Sequence, residues 1–215
     1  MSGPFVLVMA KEPVPGRVKT RLCPPCTPEE AAMVATAALA DTLDAVAACG
    51  APRRILALEG APGAWLPPGF EVVPQRGDGL AARLACAWGD AGGWGIQIGM
   101  DTPQVCPAEL DRLLGVVAPG RAVLGPAVDG GWWVIGLAGV DPTAAFEGVP
   151  MSTPVTGAVQ RRRLRALGLV VHGAPTHRDI DTVADLAAVA SAAPRTRTAA
   201  AAASLDLELR TEGVA

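Results

Sequence analysis

Phe5-Val6-Leu7-Val8-Met9-Ala10-Lys11-Glu12-Pro13-Val14-Pro15-Gly16-Arg17-Val18-Lys19-Thr20-Arg21-Leu22 opens the chain with a buried strand that runs into a cationic loop. Its first five residues form an unbroken apolar run of the kind that makes an interior strand of a parallel sheet, buried on both faces. The run breaks into a loop shaped by Pro13, Pro15 and Gly16 and carrying Lys11, Arg17, Lys19 and Arg21. The chain holds 18 Lys plus Arg, and its two lysines, Lys11 and Lys19, both fall in this loop. A compact ammonium differs from a guanidinium in geometry and hydration, so this placement is informative. A strand that ends in a cationic Pro/Gly loop ahead of a helix is a common phosphate seat.

Outward from that loop, strand and helix patterns alternate. Thr27, Pro28 and Glu30 make a capping-box start for a helix that runs to Cys49, with Gly50 as its stop. Residues 53–58 read as a second buried strand and 70–73 as a short one. The turn Pro74-Gln75-Arg76-Gly77-Asp78-Gly79 feeds a helix through Ala81, Leu84, Ala85 and Trp88. Residues 95–100 form a core strand that ends on Asp101-Thr102-Pro103, and a helix follows with Leu110, Leu113 and Leu114 on one face. Strands are expected over 122–124 and 132–137, a helix over 154–167, a last strand over 168–172, and a closing helix after Asp179-Ile180-Asp181-Thr182. The basic run Arg161-Arg162-Arg163 reads as a solvated helix face.

This alternation predicts an α/β fold: a single Rossmann-like domain over 1–193, with a mostly parallel central sheet and helices on both faces. Beyond Pro194 the composition turns to Arg/Thr and then to five consecutive alanines, so 194–215 reads as a low-complexity tail outside the fold. In open α/β sheets ligands bind outside the carboxyl ends of the strands. Lys11 to Arg21, Gln75 to Gly79 and Asp101 all fall there; Asp129 precedes a strand and is not placed by that rule.

With 215 residues, half of them hydrophobic, the chain can bury a full core, and a net charge of -3 implies no broad basic face for nucleic acid. The apolar start is short and lacks a basic leader, and no uninterrupted apolar run approaches the about 20 residues of a membrane span, so a cytoplasmic protein is expected. Five scattered cysteines suit reduced thiols. Cys23-Pro24-Pro25-Cys26 has redox or zinc spacing but no second pair, and reads as a rigid connection.

Asp101 projects a carboxylate from a rigid strand end, where a hard divalent cation takes one or two carboxylates plus phosphate oxygens. Asp179 and Asp181 are candidates for the second carboxylate. Asp129-Gly130-Gly131 sets a carboxylate beside two residues without side chains, which allows close ligand approach. No nucleophile elbow, Walker sequence or His-Glu-x-x-His zinc motif is present.

The order of these pieces resembles a bacterial family of small GT-A-like transferases, catalogued as a domain of unknown function and assigned provisionally to glycosyl transfer. The resemblance rests on Lys11-x-Pro13-x-Pro15-Gly16-x-Val18-Lys19-Thr20-Arg21-Leu22, Gly99-x-Asp101-x-Pro103, Gly125-Pro126-Ala127-x-Asp129-Gly130-Gly131 and Asp179-Ile180-Asp181-Thr182-x-x-Asp185-Leu186. It implies a nucleotide-diphospho-sugar transferase fold that uses a divalent metal, magnesium or manganese. It implies further that Lys11, Gly16, Arg17, Lys19, Thr20 and Arg21 meet the nucleotide and its phosphates, and that Gln75 and Gly79 lie near the base. Asp101 and Asp181, with Asp179 beside them, would hold the metal. Asp129, Gly130, Gly131 and Trp133 would lie near sugar or acceptor, with Asp101, Asp129 and Lys19 as the catalytic set. Trp132-Trp133 stands where the family usually has Tyr, and Asp101 lacks the close partner of an Asp-x-Asp pair.

Three readings follow. The first is a glycosyltransferase that passes the sugar of a nucleotide sugar to a small-molecule acceptor. The second is a nucleotidyltransferase that joins a nucleoside triphosphate to a phosphorylated small molecule; here Lys19-Thr20-Arg21-Leu22 is similar to a sequence in phospholactate guanylyltransferases. The third is a non-catalytic nucleotide-binding module.

Overall fold

The computed structural model describes residues 3–205. Seven strands form one sheet in the order β3-β2-β1-β4-β6-β5-β7. They are β1 (Phe5–Lys11), β2 (Arg53–Glu59), β3 (Glu71–Pro74), β4 (Gly95–Gly99), β5 (Arg121–Pro126), β6 (Trp132–Leu137) and β7 (Val170–Gly173). Every neighbouring pair is parallel except the two made by β6, which runs antiparallel to both β4 and β5. The expected mostly parallel α/β sheet is therefore present.

Strand alternation divides the core into two layers. Val6 and Val8 of β1 point to one face, where they join Leu56, Ile96 and Ile98 beneath Leu39, Leu43 and Val46 of α1 (Pro28–Ala48) and Leu110 and Leu113 of α3 (Pro107–Leu114). Phe5 and Leu7 point the other way and meet Leu84 and Trp88 of α2 (Gly79–Ala91), Phe146 of α4 (Pro142–Phe146) and Leu164 of α5 (Thr156–Ala166). Phe5 packs edge-on against Trp88 at a centroid distance of 5.0 Å, and the Trp88 indole N–H donates to Gln97 Oε1 at 2.7 Å. That bond satisfies a fully buried strand amide, which would otherwise be a costly group in the interior.

The start of α1 follows local chemistry. Thr27 accepts from the Glu30 amide, Glu30 Oε2 accepts from the Thr27 amide, and Pro28 occupies the first helical position. By length and composition this helix is apolar enough to cross a membrane, yet more than half of it is buried against the sheet and its neighbours, as in a core helix. Five-residue α4 is too short to show a helical period in the sequence; Asp141 caps it and Phe146 anchors it.

The expectation that the chain leaves the fold after Ala193 is not met. Arg197–Ser204 forms α7, which packs on α1 and on α6 (Val183–Ala192). Thr196 caps it, Asp41 Oδ2 accepts from both the amide and the hydroxyl of Thr198, and Arg197 pairs with Asp44 at 2.6 Å. Leu205 enters a third cluster with Leu22, Val34, Ile180, Leu186 and Val189. The alanine run is a strong helix former once a cap starts it and a neighbouring helix buries one face. The rest of the expected tail, 206–215, lies outside the described residues.

A candidate nucleotide and metal site

The cleft of about 460 Å³ at the carboxyl ends of β1 and β4 gathers the candidates from five separate segments. Lys11, Arg17, Lys19, Thr20, Arg21, Gln75, Asp101, Asp129, Gly131, Trp133, Asp179 and Asp181 all line it. Gly16, Gly79 and Gly130 do not, and each has a backbone role instead. Gly16 turns the loop at φ 75° and Gly79 starts α2 at φ 79°. Gly130 sits at φ 89°, where an added Cβ would fall 2.1 Å from the Pro154 carbonyl oxygen.

Asp129 reaches the cleft because β6 is antiparallel. The start of that strand lies beside the end of β4, so a turn that precedes a strand arrives at the same rim as Asp101. Asp129 Oδ1 accepts from the Gly131 amide at 2.8 Å, and among the described residues no cation pairs with it.

Lys19 heads a short 3-10 turn, Thr20–Leu22, from the left-handed region at φ 48°. A non-glycine residue there is strained and needs its surroundings to hold it. Buried Val18 and Leu22 pin the loop on either side. Between them the Lys19 ammonium turns inward, with its side chain only 10% exposed, and donates to Asp101 Oδ2 at 2.6 Å. It lies 3.8 Å from Asp181 Oδ1, while the exposed Arg21 guanidinium donates to Asp181 Oδ2 at 2.7 Å. Burial disfavours the Lys19 charge, but Asp101, Asp181 and Asp179 outweigh it and hold the ammonium above its ordinary pKa.

Asp101, Asp179 and Asp181 each offer a carboxylate oxygen within 4.8 Å of the other two. An all-oxygen set of this kind suits magnesium or manganese, and three protein ligands leave coordination positions for phosphate or water. The loop that carries Asp179 and Asp181 is fixed from several sides. His177 bridges to Ala127, Ile180 N–H donates to the Asp101 carbonyl at 3.2 Å, and Gln104 Nε2 donates to the Arg178 carbonyl at 2.6 Å. Buried Trp133 donates to the Pro175 carbonyl and packs edge-on against His177, whose Nε2 lies 2.8 Å from Glu109 Oε2. Crowding has a measurable consequence: burial first, then the charges of Asp101 and Asp129, push the Asp179 carboxyl up to about 6.

Gln75 donates through Nε2 to the carbonyls of Ala10 at 2.7 Å and Ala57 at 3.0 Å, so its amide is clamped to the ends of β1 and β2. Several lining residues are not singled out as site candidates by the sequence: Met9, Arg83, Gln97 and the Met151–Thr153 segment. The signal available for the last was Met151-Ser152-Thr153 ahead of a helix, and Ser152 does adopt a left-handed φ of 58°. Met100 accepts through Sδ from the Lys11 amide, a contact that residue type alone does not suggest.

Comparison with known proteins agrees with this architecture. No functionally curated protein matches the sequence significantly. Among solved structures, a protein from Desulfovibrio desulfuricans G20, assigned provisionally as a nucleotide-diphospho-sugar transferase, superposes with a TM-score of 0.87 at 27% identity, covering 98% of each chain. Rv0371c from Mycobacterium tuberculosis H37Rv in complex with manganese gives a TM-score of 0.50 at 21% identity, over 87% of this chain and 97% of that one. CMP:2-keto-3-deoxy-manno-octonic acid synthetase complexed with CTP gives 0.54 at 13% identity, over 88% and 98%. The last two show the fold alone. The profile of a family described as uncharacterized proteins conserved in bacteria, DUF2064, matches residues 33–153, more than half of the sequence. With that match, in a nucleotide-diphospho-sugar transferase fold, the chain belongs to the DUF2064 family of bacterial proteins.

Proposed function

We propose that the protein is a metal-assisted glycosyltransferase of GT-A type, which transfers the sugar of a nucleotide diphosphate sugar to a small acceptor. One observation carries this reading: a single cleft joins the cationic loop of residues 11–21, the Asp101, Asp179 and Asp181 carboxylates, and Asp129 with the Trp132 side. Phosphates belong at Lys19 and Arg21, the base toward clamped Gln75, and the sugar and acceptor toward Asp129.

Asp101 and Asp181, with Asp179, would hold the divalent cation, which when bound neutralises charge on the diphosphate. Lys19 and Arg21 donate to the departing diphosphate, where negative charge grows in the transition state. Asp129, a lining carboxylate outside the converging triad and without an ion-pair partner among the described residues, orients the acceptor hydroxyl and takes its proton. Trp132, stacked on Phe146 at 6.4 Å, offers an apolar wall to that half of the cleft.

A second reading has its own support. Asp101 stands in Asp101-Thr102-Pro103 without an adjacent acid, and its companions come from a distant loop. A nucleotidyltransferase would use the same cations on the α-phosphate and pyrophosphate of a nucleoside triphosphate. Thermal unfolding with magnesium or manganese and panels of nucleotide sugars and nucleoside triphosphates separates the two. Stabilisation by nucleotide sugars, followed by acceptor-dependent release of nucleoside diphosphate, is expected. Stabilisation by triphosphates alone would overturn glycosyl transfer in favour of the second reading.

A further inference from the structure

We infer that Lys19 is a resident counter-ion of the acidic triad, and that metal entry expels its ammonium into the cleft, where it becomes the phosphate ligand. The inference rests on the reading of the triad as the metal site and concerns how that site is filled.

The ammonium is inside the cluster rather than beside it. It donates to Asp101 Oδ2 at 2.6 Å and lies 3.8 Å from Asp181 Oδ1, and these two residues supply two of the three carboxylates that converge within 4.8 Å. A cation coordinated by Asp101 and Asp181 competes for the same oxygens, and two cations sharing them repel at contact distance. Lys19 can yield because its charge sits on a flexible four-carbon stem. The Arg21 guanidinium is different: its side chain is 72% exposed and it grips Asp181 from the solvent side, so it need not leave.

Expulsion turns one residue to two uses. Without metal, Lys19 neutralises carboxylates that would otherwise repel one another. With metal, the freed ammonium faces the lumen lined by Arg17, Thr20 and Arg21, where a diphosphate gives it a new partner. Metal and polyphosphate therefore bind cooperatively, each removing a cost the other would meet alone, and the coupling is reciprocal by linkage.

The composition provides a direct test on the unmodified protein. Lys11 and Lys19 are the chain's two lysines, and Lys11, 51% exposed and paired with Glu59 at 3.3 Å rather than with the triad, is an internal reference for Lys19 when metal alone is added. Brief acylation with an amine-reactive ester, read by peptide mass spectrometry, should find Lys19 protected without metal and labelled at least about fivefold faster, relative to Lys11, with manganese. Inorganic pyrophosphate added with manganese should protect Lys19 again. In parallel, Lys19→Met should bind manganese alone about tenfold more tightly than the unmodified chain, measured by electron paramagnetic resonance, and should lose the gain that pyrophosphate gives.

Unchanged or slower Lys19 labelling on manganese addition overturns the inference, as does weaker manganese binding by a folded Lys19→Met. If the variant fails to fold, the labelling decides alone. Release of Lys19 by manganese in a protein that binds no nucleotide would sink the proposed function and leave this inference standing. Nucleotide binding by a protein whose Lys19 stays protected when manganese alone is added would do the reverse.

Discussion

Asp179→Asn should make the metal-free protein more stable at neutral pH, an unusual result for a charged residue in a candidate active site. Asp179 shares its surroundings with Asp101, Asp129 and Asp181, and burial together with those charges lifts its carboxyl from the ordinary 3.8 to about 6. The folded protein thus holds this proton more tightly than the unfolded chain does. The contribution of the neutral carboxyl is complete below about pH 4 and is lost as pH rises through about 6. Above that, the ionised group costs at most about 3 kcal/mol, and partial solvent contact with its screening reduces this to about 1–2 kcal/mol. An amide of the same shape carries no such penalty. Urea unfolding in the presence of a chelator should show Asp179→Asn more stable by about 1–2 kcal/mol at pH 7.5 and equal to the parent near pH 3.5. The same variant should lose most of the stabilisation that manganese gives the parent. A gain of equal size at both pH values, or no gain at either, would refute the electrostatic account of this loop.

Arg21→Ala should leave stability within about 1 kcal/mol, because an exposed ion pair contributes little, while weakening pyrophosphate binding measured by calorimetry. Gly130→Ala should destabilise the fold by several kcal/mol in thermal unfolding and displace Asp129, because the left-handed backbone and the Pro154 carbonyl leave no space for a Cβ. Ending the chain at Ala193 should cost about 3 kcal/mol or more, since buried Leu205 and the Thr198–Asp41 hydrogen bonds go with it; unfolding unchanged by that truncation would mean α7 is dispensable.

Much of the fold was legible because its signals are local. Thr27, Pro28 and Glu30 state a helix start within four residues, and the apolar runs at 5–9, 95–100 and 132–137 each announce a buried strand. What the sequence withheld is pairing across distance. Nothing near Trp132 says that β6 runs antiparallel, yet that reversal is what carries Asp129 to the rim. The same holds for the contact of Lys19 with Asp101, 82 residues apart: residue types suggested phosphate and metal roles separately, and only the folded chain shows the two groups joined. The alanine run after Arg197 misled for a related reason. A low-complexity composition resembles a tail until Thr196 caps it and Asp41 and Asp44 of α1 receive its first turn.

A crystal structure with manganese and a nucleotide diphosphate sugar, with the metal located by anomalous scattering, would decide whether this cleft is the nucleotide and metal site. The expected result is an anomalous peak bonded to Asp101 and Asp181 and touching the diphosphate, with Lys19 moved from Asp101 to a phosphate oxygen and the sugar beside Asp129. A nucleotide bound outside this cleft, or a metal held by other residues, would contradict it.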